Sequence, residues 1–207
     1  GFVSLVGAGP GHPDLITLRG LRALQRADVI LEDALLDPRF QDLFPATAIR
    51  LAVGKRCGRA PVPQERIHAL LREHALRGRR VVRLKGGDPL LFGRGGEEAR
   101  FLEREGIPFE IIPGVSALQG AAAASGIPLT LREVSREIRV LEGHHLLDHG
   151  TDWGSLARGE ATLAMAAADP ARDVLAVDVH RAGAGMLMRD AADAGLDNVR
   201  VLVGDAV

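Results

Sequence analysis

Residues 80–97, RRVVRLKGGDPLLFGRGG, hold the densest set of groups in this chain that can do chemistry. An apolar, strand-like run (Val81, Val82, Leu84) leads into Gly86-Gly87-Asp88-Pro89 and then into Phe92-Gly93-Arg94-Gly95-Gly96. Glycine takes positive φ at little cost and lets the backbone come close to a ligand. Asp88 offers one carboxylate at the mouth of that loop. A second glycine-rich stretch, Gly7-Ala8-Gly9-Pro10-Gly11, follows the apolar run from Phe2 to Val6. Two such loops at strand ends point to a cofactor cleft along the carboxyl edge of a mostly parallel sheet. The competing reading of Gly86–Gly96 is a tight loop that serves only the fold.

The elements that must position these loops follow from the periodicity. Short continuous apolar runs at 2–6, 28–32, 49–53, 80–84 and 108–112 suit strands buried on both faces. Helical patterns lie between them at 14–27, 63–77, 96–105 and 116–125. Leu15, Leu18, Leu21 and Leu24 form the face of the first, and Ile67, Leu70, Leu71 and His74 that of the second. Pro63 suits a first helical turn. Alternation of strands and helices predicts an α/β fold with a parallel sheet over residues 1–125. Gly-Ile-Pro at 106–108 and 126–128 marks breaks. Residues 126–207 then read as a second α/β unit. It opens with a strand at Ile138–Leu141 and continues with a small-residue helix (Ala161–Ala168), a strand at Val174–Val177, a helix near 183–194 and a strand at Val199–Val203.

Composition narrows the function classes. A hydrophobic content of 46% and a charged content of 26% are those of an ordinary globular protein. The net charge of −1 gives no field that favours nucleic acid or an anionic membrane. No run approaches the roughly 20 apolar residues of a membrane helix. The start, GFVSLVGAGPG, has no signal-peptide pattern. Cys57 is the only cysteine, which excludes an intrachain disulfide and fits a cytoplasmic setting. His144, His145 and His149 lack the ordered spacing of a metal site, so no metal is expected.

The loops, taken together, also carry a resemblance. VSLVGAGPGHPDLITLRGLRALQRADVILEDALL, AVGK, VVRLKGGDPLLFGRGGEEARFL, IIPGVSALQGAAAASGIPLTLR, EGHH and DWGSLA occur in order over about residues 2–163. This series resembles the tetrapyrrole methylase superfamily, and within it the uroporphyrinogen-III C-methyltransferases. The resemblance implies two α/β domains, usually in a homodimer. It implies S-adenosylmethionine as methyl donor, with S-adenosylhomocysteine as its product, and a tetrapyrrole as small-molecule substrate. Uroporphyrinogen III would be methylated on two rings to precorrin-2, towards sirohaem and cobalamin. Residue by residue, it implies that Pro10, Gly86, Gly87, Asp88, Leu91, Ser116 and Ala117 hold the cofactor. Asp33 would be the proton acceptor and Lys55 the proton donor. Taken alone, Asp33 reads as a cap or salt-bridge partner and Lys55 as a solvated strand-end residue. Glu32 stands where the family has Tyr, a change that alters the field at Asp33. The substrate carries eight carboxylates, so Arg22, Arg50, Arg59 and Arg94 are candidates for the fork-like pairing that Arg gives.

After Thr162-Leu163 the family pattern stops. Met165 stands two residues before the expected place of the family's Met, which falls on Ala167. Residues 159–207 resemble instead a fragment of the tRNA (guanine-7-)-methyltransferases, with Asp178 and Asp205 at the positions of its cofactor acids. The glycine-rich loop of that family is absent, and the chain stops just after a strand. The expectation is therefore a second unit that is incomplete or composite from about residue 160. The alternative function is a non-catalytic α/β scaffold with an incomplete cofactor site.

Overall fold

The computed structural model describes residues 1–34, 36–54, 62–130, 132, 138 and 140, together with the backbone of two strands at 174–178 and 199–203. The chain divides into two compact units, one built on Gly1–Gly120 and one on Ala121–Asp205.

The first unit is a five-stranded sheet: β1 (Phe2–Gly7), β2 (Val29–Glu32), β3 (Ile49–Ala52), β4 (Arg80–Lys85) and β5 (Phe109–Ile112). The spatial order is β3-β2-β4-β1-β5 and every pairing is parallel. Both faces are covered. Side chains alternate along a strand, so Val3, Leu5, Val29, Leu31 and Val81 point to one side. There they pack with Ile67, Leu71 and Ala75 of α2 (Gln64–Leu76) and Leu102 of α3 (Gly95–Arg104). Val6, Ile30, Val82, Leu84 and Ile112 point to the other side, against Leu24 of α1 (Leu18–Leu24) and Phe40 of a 3₁₀ segment (Pro38–Leu43). The parallel, doubly covered sheet is the one the apolar runs predict.

Two helices lead into β4 and β5 in the same way. At the end of α2, Gly78 (φ 78°) donates to the Ala75 carbonyl at 2.9 Å and Arg79 to that of His74 at 3.3 Å. At the end of α3, Gly106 (φ 64°) donates to Glu103 at 3.0 Å and Ile107 to Leu102 at 3.0 Å. Each is a glycine-closed helix end that satisfies the last carbonyls and turns the chain into the next strand.

The first helix differs from the expectation of 14–27. Thr17 is extended, and its hydroxyl accepts the Gly20 N–H at 3.1 Å. The helix therefore starts at Leu18, after a separate 3₁₀ turn at Pro13–Leu15. The proposed leucine face is only partly internal: Leu24 is fully buried, but Leu18 is 70% exposed. A hydroxyl cap outcompetes the leucine spacing there.

In the second unit, α4 (Ala117–Ser125) runs into it from the first, and β6 (Val174–Asp178) pairs in parallel with β7 (Val199–Val203). The expected helices at 161–168 and 183–194 lie outside the described residues, as does half of the expected strand at 138–141, whose Ile138 and Val140 are not in a strand.

Candidate active site

Crossovers from β1 and β4 leave in opposite directions, β1 towards β2 and β4 towards β5. The carboxyl ends of this adjacent pair form the switch point at which parallel sheets open a crevice. The two glycine-rich loops meet there. Ala8 N–H donates to the Lys85 carbonyl at 2.8 Å, Gly87 N–H to Gly9 O at 2.8 Å, and Gly9 N–H to Gly87 O at 3.3 Å. The loop after β5 joins them through glycine. A Cβ on Gly114 would stand 2.3 Å from Gly87 O and 2.8 Å from Gly7 Cα.

Most of the sequence-predicted cofactor residues gather on this edge. Pro10 packs on α4, where a Cβ on Gly120 would come within 2.4 Å of its ring. Gly87 has φ 63° and lies beside the start of α4, with Ala117 N 3.7 Å from where its Cβ would be. Nothing lies within 4 Å of a Cβ on Gly86. Ser116 caps α4 reciprocally with Gln119. The Ser116 N–H donates to Gln119 Oε1 at 2.9 Å, the Ser116 hydroxyl also donates to it, and the Gln119 N–H lies 3.5 Å from Ser116 Oγ. This is the capping box of S-x-x-Q. Asp88 is turned inward: Oδ1 accepts the Leu90 N–H at 2.8 Å and Oδ2 the Gly114 N–H at 3.1 Å. Its carboxylate ties the β4 loop to the β5 loop. Leu91 is 38% exposed beside Phe92, whose φ of 52° is strained for a bulky residue.

Asp33 stands on the far side of β4 from these loops. Its N–H continues the ladder to the Leu84 carbonyl at 3.2 Å. It lines an open cleft of about 280 Å³ with Gly54, Gln64, Arg83, Lys85, Phe92 and Arg94 among the walls. Lys55 and Arg59 lie outside the described residues. Of the other arginines named above, Arg50 is occupied by Glu32 at 3.1 Å and stacks over Phe44, and Arg94 pairs with Glu97 at 2.7 Å on the cleft wall. Arg22 is exposed on α1. Glu32 is thus paired with Arg50.

Sequence reasoning missed the charges beneath the cleft. On the α2/α3 face, β4 turns from Val81 to Arg83 and Lys85, both 3% exposed. Glu98, fully buried in the first turn of α3, answers both. Arg83 Nε donates to Oε1 at 3.1 Å, and Lys85 Nζ reaches Oε1 at 3.1 Å and Oε2 at 3.2 Å. Gln64 Nε2 donates to the same Oε1 at 3.2 Å. Burial pushes the Lys85 ammonium below its ordinary pKa, the Arg83 charge adds to this, and Glu98 opposes it. The signal was present: two cations at i and i+2 in a strand whose neighbours are all apolar need a buried partner. The described residues hold no cluster suited to a metal ion. None of their helices is long and apolar enough to cross a membrane.

A profile of the Tetrapyrrole (Corrin/Porphyrin) Methylases matches residues 3–207. Siroheme synthase 1 of Yersinia enterocolitica is 54% identical over 166 residues, 80% of this chain and 35% of that protein. The chain thus spans about a third of the length of the curated relatives it matches. Among solved structures, uroporphyrin-III-C-methyltransferase from Thermus thermophilus superposes with a TM-score of 0.61 at 48% identity, covering 70% of this chain and 61% of that one. The same enzyme complexed with S-adenosyl homocysteine gives 0.55 at 48%, covering 66% and 57%. With the family profile matched from the first strand to the last residue, and the glycine loops meeting at the switch point of a parallel sheet, this chain belongs to the tetrapyrrole (corrin/porphyrin) methylases.

Proposed function

We propose that the protein carries out S-adenosylmethionine-dependent C-methylation of uroporphyrinogen III to precorrin-2, on the route to sirohaem and cobalamin. The observation that carries this reading is the meeting of the β1, β4 and β5 loops through Gly9–Gly87 and Asp88–Gly114, one strand away from a cleft that holds Asp33. Gly86 and Gly87 leave the backbone bare beside the start of α4. That arrangement suits a ligand held through main-chain groups, with Pro10, Leu91, Ser116 and Ala117 around it. Asp88 contributes by fixing the loops.

When bound, S-adenosylmethionine supplies a methyl group on a positively charged sulfur. The chain's own work is to hold that group in line with an electron-rich pyrrole carbon and to keep water out, which can contribute several kcal/mol. After the ring carbon has gained the methyl, a proton must leave the macrocycle. Asp33, a part-exposed carboxylate at the cleft, is its acceptor. Lys55 is the proton donor, and the active protein is a homodimer.

Isothermal titration with S-adenosylhomocysteine tests the reading. Micromolar binding is expected, and loss of binding in Gly87→Arg, where a side chain would enter at a left-handed backbone position against Ala117. A folded protein that does not bind would leave the alternative, a non-catalytic α/β scaffold. The match to Siroheme synthase 1 of Yersinia enterocolitica spans 166 of the 207 residues, and this span is what keeps that alternative in view.

A further inference from the structure

Arg83 is almost fully enclosed, with 4% of its side chain exposed, yet it borders the cleft. A guanidinium has five N–H donors in one plane. Nε is taken by Glu98 Oε1 at 3.1 Å, and Nη1 by the carbonyls of Leu84 at 3.0 Å and Leu31 at 3.3 Å. Those three bonds fix the plane of the group, and with it the direction of Nη2. Nη2 faces Asp33 Oδ2 at 3.7 Å.

Asp33 is held from its other side as well. Oδ1 accepts the Ala34 N–H at 3.3 Å, and the Asp33 N–H is bonded to Leu84 O at 3.2 Å. The second cation of the cluster, Lys85, is spent on both oxygens of Glu98. Arg83 is therefore the cation that faces Asp33 among the described residues. The distance of 3.7 Å matters. It is short enough for a charge to orient and hold the carboxylate, and too long for a hydrogen bond, so Arg83 itself does not occupy the Oδ2 lone pairs.

We infer that Arg83 is a positioning residue that orients Asp33 for proton abstraction without binding substrate itself. Glu98 and two strand carbonyls act as the frame that aims it. This rests on the reading of Asp33 as the base. Loss of the aim affects turnover and leaves the binding of both reactants in place.

The test is a kinetic cycle on the full chain with Arg83→Gln, Asp33→Asn and the double variant. Uroporphyrinogen III turnover is followed, and S-adenosylhomocysteine binding serves as the check of folding. Arg83→Gln is expected to lower kcat by about tenfold or more, with KM and the S-adenosylhomocysteine Kd changed less than about threefold. In the Asp33→Asn background the same change should cost little further, because its target is gone. A raised KM at unchanged kcat would make Arg83 a substrate-binding group, and additive losses in the double variant would make its effect independent of Asp33; either overturns the inference. If Arg83→Gln does not fold, Arg83→Lys keeps the charge near Glu98 but lacks the fork, and full turnover in it overturns the inference equally. Normal turnover in Asp33→Asn would sink the base assignment itself. Impaired Asp33→Asn beside unimpaired Arg83→Gln would sink only the positioning role.

Discussion

Asp88 and Gly114 lie 26 residues apart in the chain, and the Asp88 Oδ2–Gly114 N–H bond of 3.1 Å closes the loop after β4 onto the loop after β5. The other oxygen of Asp88 holds the Leu90 N–H. One side chain thus sets the shape of the edge on which Gly86 and Gly87 present their backbone. Asp88→Ala removes both acceptors and strands a part-buried N–H, a loss of about 1–3 kcal/mol. We expect a lower melting temperature and weaker S-adenosylhomocysteine binding by calorimetry. Asp88→Asn retains one acceptor oxygen and should fall between. Wild-type affinity in Asp88→Ala would show that the loops close without it.

Gly114 and Gly86 should answer very differently to one added methyl. A Cβ on Gly114 would stand 2.3 Å from Gly87 O, a backbone atom that can retreat only by opening the β1–β4–β5 edge. Overpacking of this kind costs about 1–3 kcal/mol. A Cβ on Gly86 meets nothing within 4 Å. Chemical denaturation should therefore place Gly114→Ala well below the parent protein and Gly86→Ala within about 0.5 kcal/mol of it. Equal stability of the two variants would contradict the close approach.

Much of this was readable from the residues, for definite physical reasons. The five apolar runs were legible as parallel strands because central strands covered on both faces are mostly apolar, although β3 at the edge is largely exposed. Glycine at 7, 9 and 87 was legible as backbone approach from the two glycine-rich loops, whereas the close approach at Gly114 was not. The start of α1 was not, because the Thr17 cap is a local competitor that leucine spacing does not reveal. The inward turn of Asp88 was not legible either: a carboxylate in a loop reads alike whether it meets a ligand or a distant N–H. Arg83, Lys85 and Glu98 were hidden in motifs that already had an explanation. Strand alternation puts Val81, Arg83 and Lys85 on one face, but only the packing of α3 shows that Glu98 meets them.

Glu98 gives the largest expected stability effect. It is the common counter-charge of two buried cations, and Gln64 adds a third contact to its Oε1. Glu98→Gln keeps the size, leaves Lys85 without a carboxylate, and leaves Arg83 only Asp33 at 3.7 Å. Breaking a buried pair in this way costs about 3–5 kcal/mol. For a domain of this size that corresponds to a drop in melting temperature on the order of 10 °C. A drop of only a degree or two would mean that the cluster is solvated in solution. Glu98→Gln together with Lys85→Met should recover part of the loss.

Stability should also rise with pH across the range where buried imidazoles lose their proton. His74 is 6% exposed, and the Arg79 Nη1 donor lies 2.7 Å from its Nδ1. A guanidinium only donates, so Nδ1 is the acceptor of a neutral ring. Burial, with the Arg79 charge as a lesser cause, pushes the His74 pKa below its ordinary 6.5. His68, stacked on Phe101 at 4.4 Å, is lowered by burial too, although Glu98 and Glu97 oppose the shift. Between each depressed folded-state value and 6.5, the unfolded chain binds more protons than the folded one. Stability therefore increases with pH through that window, and the gain is complete above it. Melting curves at about pH 5.5 and about pH 7.5 should show a clear rise for the parent protein. The rise should be smaller for His68→Gln with His74→Gln, which keep hydrogen-bonding capacity without a titrating ring. The same rise in parent and variant would assign the effect to other groups and remove these two histidines from the account.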